Sequence, residues 1–563
     1  MSSLRKIPKM KTLACAVLYA GSMAATVAWA ADTDEFYGTN EPFASESIYF
    51  VMTDRFVNGD PSNDHRDQGG EYPTFDRPTP GAPAGESDNI GYMGGDFKGI
   101  VDNAGYIRDM GFTSVWVTPV VDNPDEAFTG GDAAKWGGMF TDRGKTGFHG
   151  YWGINFYRLD EHLPSAGLDF AGFTKAMKER KLDVVLDIVG NHGSPAYSMP
   201  KMQPQYGKVY DREGKLVADH QNLDPGRLDP AHKRLHAFYN TSGGLAQLSD
   251  FNQDNPAVLD YLVGAYEQWI DKGAAAFRVD TIAWMPHSFW KKFADRIRAK
   301  RPGFFMFGEA FNYDAATIAG HTFDRNGHYS VLDFPMRGKM AATFEKKGSD
   351  FAELATALYL EDGPYANPYD LVTFYDNHDM ARMNASDEGF IDANNWLFTA
   401  RGIPAVYYGS ETGFMRGRAE HMGNRNYYGQ ERVDAASKSP IHPALKRIAT
   451  LRRDSPALQR GLQLNLRMKG DEAVFYRVYQ HQGSTQTALV LLNKGDAARN
   501  MAVSDYLQPG TWTDGFSGKK LKVGKQLRMQ VPAHGVRVLF FDQPLTRKGL
   551  RARLADSMAR KDR

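Results

Sequence analysis

Eight short apolar runs recur between residues 45 and 455, and amphipathic, helix-like stretches separate them. Neighbouring parallel strands need crossover connections, usually helices, so this alternation is typical of a parallel sheet covered by helices. Eight such units predict an α/β protein with a (β/α)8 barrel. The predicted strands lie within residues 47–56, 114–120, 183–192, 275–280, 304–309, 331–336, 371–379 and 404–411.

Polar residues stand at the C-terminal end of five of these runs, and not at the start. The run that ends in "FYDNHD", for example, carries Asp376, Asn377, His378 and Asp379 after its apolar residues. One such residue alone is most often a turn or a cap, but five at the same end of a barrel indicate its active face. We therefore expect the functional side chains to converge there.

Two segments differ in pattern from the barrel. Residues 193–250, rich in Gly, Pro, Asn and Asp, are too long for a connection between a strand and a helix, and they predict a small inserted domain after the third strand. Residues 459–545 show alternating strands with turn signals, which predicts a C-terminal all-β sandwich domain. The catalytic barrel would then comprise residues 31–192 and 251–458.

Three further stretches are expected to lie at the edges of this architecture. The Gly/Pro-rich residues 66–92 and 122–148 belong to the active face and would wall a cleft. The basic tail, residues 546–563, carries Leu550 and Leu554 at helical spacing. That spacing favours a packed or frayed terminal helix over one docked on an anionic surface.

Residues 1–30 have the features of a secretory signal peptide, with a basic start, an apolar middle and small residues before a predicted cleavage after Ala30. A lipoprotein anchor at Cys15 is the competing interpretation, but the residues before Cys15 fit it poorly. Cys15 is the only cysteine of the chain, so the mature protein is predicted to have no disulfide. We expect a secreted or periplasmic protein.

The charge balance excludes several classes of partner. Lys and Arg together number 67, as do Asp and Glu, so no overall field favours nucleic acid or an anionic membrane. No stretch after the signal is long and apolar enough to span a bilayer. These features favour a soluble protein that acts on a neutral substrate, and we expect a monomer.

Three carboxylates follow the fourth, fifth and seventh predicted strands: Asp280 in "FRVD", Glu309 in "FGEA" and Asp379 in "DNHD". Cleavage of a glycosidic bond usually takes one carboxylate to attack the anomeric carbon and one carboxylic acid to protonate the leaving oxygen. The three residues are therefore the candidate catalytic groups of a glycoside hydrolase.

Four segments resemble the signature segments of the α-amylase family of glycoside hydrolases, and they occur in family order. They are "DIVGNH", "GAAAFRVD", "FGEA" and "FYDNHD". Each is a weak match alone, but four on the predicted strands are specific, and the similarity extends over nearly the whole mature chain. The first strand and the calcium segments are most similar to cyclodextrin glycosyltransferases and related bacterial α-amylases.

This resemblance implies a retaining mechanism. Asp280 would be the nucleophile that forms a covalent β-glycosyl intermediate, and Glu309 the acid that later acts as the base. Burial and neighbouring carboxylates must raise the pKa of Glu309 if it is to hold a proton at neutral pH. Arg278 would keep Asp280 ionised, and Asp379 would bind hydroxyls of the distorted sugar.

The resemblance also implies residues that bind the sugar. His192 and His378 would donate hydrogen bonds to the ring being cleaved. In the segment "TGFHGYWGINF", Tyr151 would stack on that ring with His149 beside it. Trp152 fits the core as well as a subsite.

Hard oxygen ligands at close spacing in "NGDPSND" suit Ca²⁺, and together with the nearby "GGD" they resemble a calcium site of the cyclodextrin glycosyltransferases. The implied ligands are Asn58, Asp60, Asn63, Asp64, the carbonyl of Gly94, and Asp96. A second calcium, common in the family between barrel and inserted domain, would use Asn191 and Asp250. The carbonyl of Trp284 takes the place of a usual histidine carbonyl in that second site.

Two departures from the family pattern bear on the reaction. Cyclodextrin glycosyltransferases hold an aromatic residue, around which the glucan curls, at the position of Ala246 in "LAQLSDFN". Without that ring, water is expected to react more often than a sugar hydroxyl. Ala283 and Trp284 replace the Lys-His pair of many α-amylases, which leaves the affinity for the leaving-group sugar open.

We predict an exported α-1,4-glucan hydrolase that cleaves starch-derived maltooligosaccharides or cyclodextrins with retention and binds Ca²⁺. The alternatives are a cyclodextrin glucanotransferase or another transglycosylating member and, with less support because all three carboxylates are present, a non-catalytic glucan-binding protein. An α-1,6-specific or trehalose-forming member is a third alternative, because loop shape decides the linkage.

Overall fold

The computed structural model describes residues 35–83 and 88–562, so the predicted signal peptide and Cys15 lie outside the described residues. Eight parallel strands form the central sheet. In chain order these barrel strands are Ile48–Val51 (β1), Ser114–Val117 (β2), Asp183–Ile188 (β3), Ala276–Val279 (β4), Phe305–Gly308 (β5), Ser330–Val331 (β6), Val372–Thr373 (β7) and Ile403–Tyr407 (β8).

The sheet closes into a barrel. Its strands are hydrogen-bonded in the order β6-β5-β4-β3-β2-β1-β8-β7. An isolated parallel bridge between Leu332 and Val372 joins the two edges. Each predicted run overlaps one of the eight strands, and the predicted (β/α)8 barrel is confirmed.

The register of β3, β4 and β5 sets the level of the active face. Arg278 in β4 is opposite Asp187 in β3. The last residues of β4 and β5 are also opposite each other, so Asp280 and Glu309, which follow them, leave the barrel at the same level. All residues of β4 and β5 are buried, as is usual for parallel strands covered on both sides.

Helices pack around the barrel. The longest of these, Pro256–Asp271, begins with Pro, and the Asn255 side chain accepts a hydrogen bond from the Ala257 amide at its start. The α-helices before the C-terminal sheets are Thr53–Phe56, Phe97–Asp102, Ala104–Asp109, Phe170–Glu179, Pro256–Asp271, His287–Lys300, Ala315–Ala319, Phe334–Phe344, Ala352–Ala355, Asp387–Leu397, Gln430–Ala435, Ile441–Arg453 and Pro456–Arg460. Among the described residues, no helix has the length and apolar character needed to cross a bilayer.

Two long excursions on the active face form short antiparallel pairs. The paired segments are Val121–Asp122 with Asn155–Leu159 after β2, and His192–Pro195 with Leu248–Asp250 and Lys208–Tyr210 with Leu216–Asp219 after β3. Tyr239 and Phe251 of the second excursion are buried in the same apolar core as the barrel. The excursion is therefore packed on the barrel, while its predicted limits at residues 193 and 250 stay a prediction.

The C-terminal part is all-β, as predicted. A six-stranded and a two-stranded antiparallel sheet enclose a separate apolar core that includes Leu489 and Trp512. The strands are Leu462–Lys469, Glu472–His481, Ser484–Asn493, Arg499–Val503, Gly510–Asp514, Lys520–Val523, Leu527–Val531 and Gly535–Phe541.

The basic tail forms the helix Lys548–Lys561. Leu550 and Leu554 are buried in the C-terminal core. Arg560 Nη1 lies 2.8 Å from Glu361 Oε2, a carboxylate of the segment that precedes β7. The helix is thus packed, and two of its arginines, Arg553 and Arg560, pair with Glu361.

Candidate active site

A cavity of about 490 Å³ opens at the C-terminal ends of the barrel strands. Its walls include the three predicted carboxylates and five predicted sugar-binding residues, namely Asp280, Glu309, Asp379, His149, Tyr151, Trp152, His192 and His378. The sixth predicted sugar-binding residue, Arg278, is fully buried. The structure therefore brings the predicted catalytic and sugar-binding residues together.

The guanidinium of Arg278 connects the carboxylates. Its Nη1 lies 2.9 Å from Asp187 Oδ1 and 2.9 Å from Asp280 Oδ1. Its Nη2 lies 2.9 Å from Glu309 Oε2 and 4.0 Å from Asp379 Oδ2. Because one rigid planar group contacts both Asp280 and Glu309, these two carboxyl groups face the same small volume.

Glu309 is arranged to hold a proton. Burial raises the pKa of its carboxyl well above the usual value, and the charges of Asp379, Asp280 and Asp187 add to this effect, against Arg278. Its Oε1 is buried and has no hydrogen-bond partner among the described residues. A protonated carboxyl with one oxygen free inside the cavity can act as a general acid.

Asp280 is held at both of its oxygens. Arg278 contacts Oδ1, and the hydroxyl of Thr281 donates to Oδ2 over 3.0 Å. His192 Nε2 lies 4.0 Å from the same Oδ2. Burial lowers the pKa of His192, so its imidazole is neutral near pH 7.

Asp379 stands between a histidine and an arginine. Its Oδ2 lies 3.1 Å from His378 Nε2, and its Oδ1 lies 2.8 Å from Arg425 Nη2. Burial alone would raise the pKa of this carboxyl, but His378, Arg425 and Arg278 outweigh burial and lower it. Burial lowers the pKa of His378 to about 3, so near neutral pH the positive charge beside Asp379 is that of Arg425 and Arg278. Asp379 is therefore ionised at neutral pH.

Tyr151 forms an aromatic wall of the cavity. Its hydroxyl donates to Asp187 Oδ2 over 2.7 Å, and its ring stacks on His378 with the centroids 5.3 Å apart. Burial and the charge of Asp280 raise the pKa of Asp187 to about 7, against Arg278 and Tyr151. The ring of Tyr151 is fixed at one edge, which leaves a face for a sugar.

Trp152 belongs mainly to the core. It is buried in a small apolar cluster with Phe128 and Tyr206 and meets His149 edge-on at 4.8 Å. Burial lowers the pKa of His149 well below its usual value, so His149 is neutral as well. Trp152 thus shapes the cavity by supporting His149.

Sequence reasoning missed the wall formed by Lys145, Glu420 and Arg425. Glu420 Oε1 lies 2.8 Å from Arg425 Nη1 and 3.2 Å from Lys145 Nζ. Arg425, in turn, holds Asp379. Lys145, Glu420 and Arg425 lie in loops outside the four signature segments, and single charges within a loop give no distinctive signal.

Four exposed apolar residues also line the cavity: Met139, Phe140, Trp284 and Phe311. Trp284 keeps 54% of its surface exposed, although tryptophan is normally buried. Trp284 follows Asp280 by four residues, and Phe311 follows Glu309 by two. A signal was present in the sequence, since both lie directly after a catalytic strand end.

The first predicted calcium segment offers a suitable set of donors. Asn58 Oδ1 and Asn63 Oδ1 are buried and have no hydrogen-bond partner among the described residues. Gly94 has φ +85°, and a Cβ there would lie 2.4 Å from Asp64 Oδ1, so only glycine lets its backbone approach these side chains. Unpaired amide oxygens beside carboxylates fit Ca²⁺.

Asp96 connects the two loops that carry the predicted calcium ligands. Its Oδ2 accepts a hydrogen bond from the Asp60 amide over 2.8 Å, and its Oδ1 caps the helix Phe97–Asp102 through the Gly99 amide. Asp60 itself accepts from Ser62. The six predicted ligands therefore come from two loops that already lie against each other.

The second predicted calcium pair is satisfied without an ion. Asn191 Nδ2 donates to Asp250 Oδ1 over 2.9 Å, and Asn240 Nδ2 donates to Asp250 Oδ2 over 2.7 Å. Each oxygen of the Asp250 carboxylate accepts one hydrogen bond, so the pair is held in place by side-chain amides. Calcium at this pair stays a prediction.

A family model described as "Alpha amylase, catalytic domain" matches residues 50–442. The chain belongs to the α-amylase family. A cyclomaltodextrin glucanotransferase of Klebsiella oxytoca is 30% identical over 531 residues, which cover 85% of this chain and 75% of that protein. The transferase of Thermoanaerobacterium thermosulfurigenes is 29% identical over 494 residues, which cover 84% of this chain and 64% of that protein, less than two thirds of its length.

Solved structures of both activities are similar to this α-amylase family member. The α-amylase of Geobacillus thermoleovorans, solved with acarbose, has a TM-score of 0.66 and 26% identity, and the match covers 88% of this chain and 98% of that one. A cyclomaltodextrin glucanotransferase described as having a three-domain ABC distribution has a TM-score of 0.69 and 28% identity, with 88% and 99% covered. The protein is thus an enzyme of glucan chemistry, a glycoside hydrolase or transferase of this family.

Proposed function

We propose that this α-amylase family enzyme is an exported α-1,4-glucan hydrolase that acts with retention on maltooligosaccharides from starch or on cyclodextrins. The observation that carries the proposal is the contact of one guanidinium with both Asp280 and Glu309, at 2.9 Å each. Two carboxyl groups around a single scissile bond, one of them protonated, are the requirement for glycoside cleavage.

In the first step, an Asp280 carboxylate oxygen attacks the anomeric carbon while the bond to the leaving oxygen breaks. The Glu309 carboxyl gives its proton to that oxygen, and the new chain end leaves. In the second step, the Glu309 carboxylate takes a proton from water, the water oxygen bonds to the anomeric carbon, and Asp280 is released. The raised pKa of Glu309 supports its role as the acid.

The remaining residues act on the sugar itself. Asp379, kept ionised by Arg425 and Arg278, accepts hydrogen bonds from hydroxyls of the distorted ring. Tyr151 presents its face to the C–H side of the ring. His192, neutral and near Asp280, donates to a hydroxyl of the same ring.

Calcium has a structural role in this proposal. Asn58, Asn63, Asp64 and the carbonyl of Gly94 would hold the ion, with Asp60 and Asp96 completing the set. Bound there, the ion would supply positive charge that holds together the two ligand loops that follow β1 in the chain.

Hydrolysis is favoured over transfer by the alanine at position 246, where cyclodextrin glycosyltransferases hold an aromatic residue. Ala246 lines the cavity, and its carbonyl accepts a hydrogen bond from the Tyr197 hydroxyl over 2.7 Å. A methyl side chain gives a glucan nothing to curl around, so water reaches the intermediate. A transferase is the second candidate, because the curated relatives are cyclomaltodextrin glucanotransferases.

Product analysis tests the proposal. Purified protein is incubated with maltoheptaose and, separately, with a cyclodextrin, and the products are separated by chromatography. Short linear sugars support hydrolysis, cyclic products from maltoheptaose or starch support the transferase, and no turnover of any glucan contradicts both. D280N should bind maltoheptaose without turning it over.

Export is tested separately. The proposal places the enzyme outside the cytoplasm after cleavage behind Ala30, on the composition of residues 1–30. Mass spectrometry of the protein from culture medium or periplasm should show a chain that begins at Ala31. An intact Met1 terminus in the cytoplasm would remove export from the proposal.

A further inference from the structure

Thr281, the residue after Asp280, has a left-handed backbone conformation with φ +46° and ψ +38°. The left-handed region is unfavourable for L-residues, and a β-branched residue is rarely found there. Such conformations persist where the surroundings impose them, often at functional sites. The conformation of Thr281 therefore requires a cause.

The backbone of Thr281 forms a tight turn between the two catalytic strand ends. Its carbonyl accepts a hydrogen bond from the Trp284 amide over 2.9 Å, and the next amide, that of Ile282, donates to the Glu309 carbonyl over 3.2 Å. Glycine would make the same turn without steric strain. The turn alone therefore does not account for a threonine.

The side chain of Thr281 makes a hydrogen bond that glycine could not make. Its hydroxyl donates to Asp280 Oδ2 over 3.0 Å, while Arg278 Nη1 holds Asp280 Oδ1 at 2.9 Å. A carboxylate held at one oxygen can turn about its Cβ–Cγ bond, whereas one held at both oxygens cannot. Thr281 also lines the catalytic cavity, on the side from which a sugar approaches.

We propose that Thr281 is a positioning residue, whose hydroxyl fixes the plane of the Asp280 carboxylate for attack on the anomeric carbon. Arg278 holds one oxygen from inside the barrel and Thr281 holds the other from the cavity. The proposal rests on the proposed role of Asp280 as the nucleophile. It assigns Thr281 an effect on bond formation and none on substrate binding.

Two substitutions separate the hydroxyl from the shape of the side chain. T281V keeps the β-branched shape and removes the hydroxyl, whereas T281S keeps the hydroxyl. We expect T281V to lower kcat on maltoheptaose about 10- to 100-fold with KM within about twofold of wild type, because a misdirected nucleophile slows only the chemical step. T281S should recover most of kcat. Wild-type kcat in T281V, or equal losses in T281V and T281S, would overturn the proposal.

A change of leaving group tells a defect in Asp280 from one in Glu309. Fluoride departs without protonation, so the first step with α-maltosyl fluoride, followed by the initial release of fluoride, needs the nucleophile but not the acid. We expect the loss in T281V to persist with α-maltosyl fluoride. If the fluoride restored wild-type turnover, Thr281 would act on Glu309 through the Ile282 contact, and the proposal would be wrong.

Two controls complete the experiment. T356V makes the same chemical deletion at an exposed threonine outside the cavity and should keep wild-type kcat. D280N tests the assumption on which the inference rests. Full activity in D280N refutes the proposed function, whereas an inactive D280N with a fully active T281V refutes only the role of Thr281.

Discussion

Arg278 Nη2 lies 2.9 Å from Glu309 Oε2, so the carboxyl that is proposed to stay protonated touches a permanent cation. A cation at this distance favours the ionised form. Burial of Glu309, helped by three nearby carboxylates, is nevertheless the larger effect and raises its pKa. Arg278 thus limits the rise in pKa and keeps Glu309 able to release its proton.

The acid role of Glu309 predicts a specific pH dependence. Because the pKa of Glu309 is raised, kcat/KM should stay high above the usual range for a glutamate and fall as the pH rises through the shifted value. E309Q should lower kcat on maltoheptaose about 10²- to 10⁴-fold, remove the alkaline decline, and slow the initial release of fluoride from α-maltosyl fluoride much less.

The control for this experiment is E353Q, which changes an exposed glutamate that pairs with Lys339 on the surface. Its pH profile should match that of the wild type. An alkaline decline that survives in E309Q would assign the titration to another group.

Arg425 should set the acidic side of the profile. It holds Asp379 at 2.8 Å, and its charge is among the causes that lower the pKa of that carboxyl. R425Q should raise the pKa of Asp379, so that Asp379 is protonated at a higher pH and the acidic decline of kcat/KM moves upward. We expect kcat/KM at neutral pH to fall about 10- to 100-fold.

A matched change on the same wall is E420Q, which removes the charge of the other carboxylate beside Arg425 and leaves the contact with Asp379 in place. E420Q should move the acidic decline much less than R425Q. Equal shifts in the two variants would show that the wall acts as a whole and not through Asp379.

Calcium should stabilise the fold through the first predicted site. With the ion at about a hundredfold its Kd, mass action stabilises the folded state by about 2.7 kcal/mol, which for a chain of this length corresponds to a rise in Tm of about 2 °C. Chelation with EDTA should reverse this rise. N58A, which deletes an unpaired buried oxygen, should abolish the calcium-dependent part of Tm.

N191A provides the comparison, since Asn191 belongs to the pair whose oxygens are already satisfied. The Tm of N191A should keep the full response to calcium. Calorimetric titration of the wild type with calcium should find one class of binding site. If the calcium-dependent rise in Tm were lost in N191A and kept in N58A, the ion would be placed at Asn191 and Asp250.

His534 should make stability depend on pH at the border between the barrel and the C-terminal sheets. It lies 2.7 Å from Asp392 and 3.0 Å from Asp496, and these hydrogen bonds raise the pKa of His534 to about 9. A raised histidine pKa contributes stability that is complete below the unfolded value near 6.5 and is lost as the pH rises through about 9.

H534Q should therefore lower Tm by about 2 °C at pH 6.5 and by much less at pH 10. H328Q is the matched control, because His328 forms an exposed pair with Asp324 at 2.9 Å. Its Tm should follow the wild type at both pH values. A difference between H534Q and wild type that is constant with pH would exclude the charge of His534 as the cause.

The fold and the centre of the site could be predicted because both leave strong periodic signals. Asp280, Glu309 and Asp379 each end a buried apolar run, and the barrel geometry sends all such ends to one face. The chemistry of each residue could be inferred from that placement and from the family resemblance. The pairing of Arg278 with Asp187 needed the register of β4 on β3, which sequence alone does not contain.

The outer parts of the site could not be predicted, since they depend on how loops fold over one another. Arg425 comes from the loops after β8, and its contact with Asp379 spans 46 positions in sequence. The pair Asn191 and Asp250 shows the same dependence, because Asn191 and Asn240 both donate to Asp250, and sequence spacing does not reveal these contacts. Calcium at this pair stays a prediction. Local patterns predict residue types, whereas long-range packing decides what those residues contact.

The barrel is joined where its strands are shortest. β6 and β7 have two residues each, and the Leu332–Val372 bridge closes the gap between them. On one side of this seam β6 pairs with β5, the strand that Glu309 follows. On the other side is β7, the strand that leads to Asp379. Few backbone hydrogen bonds therefore maintain the spacing of these two acids. On heating, local opening at the seam should stop turnover before the rest of the molecule unfolds.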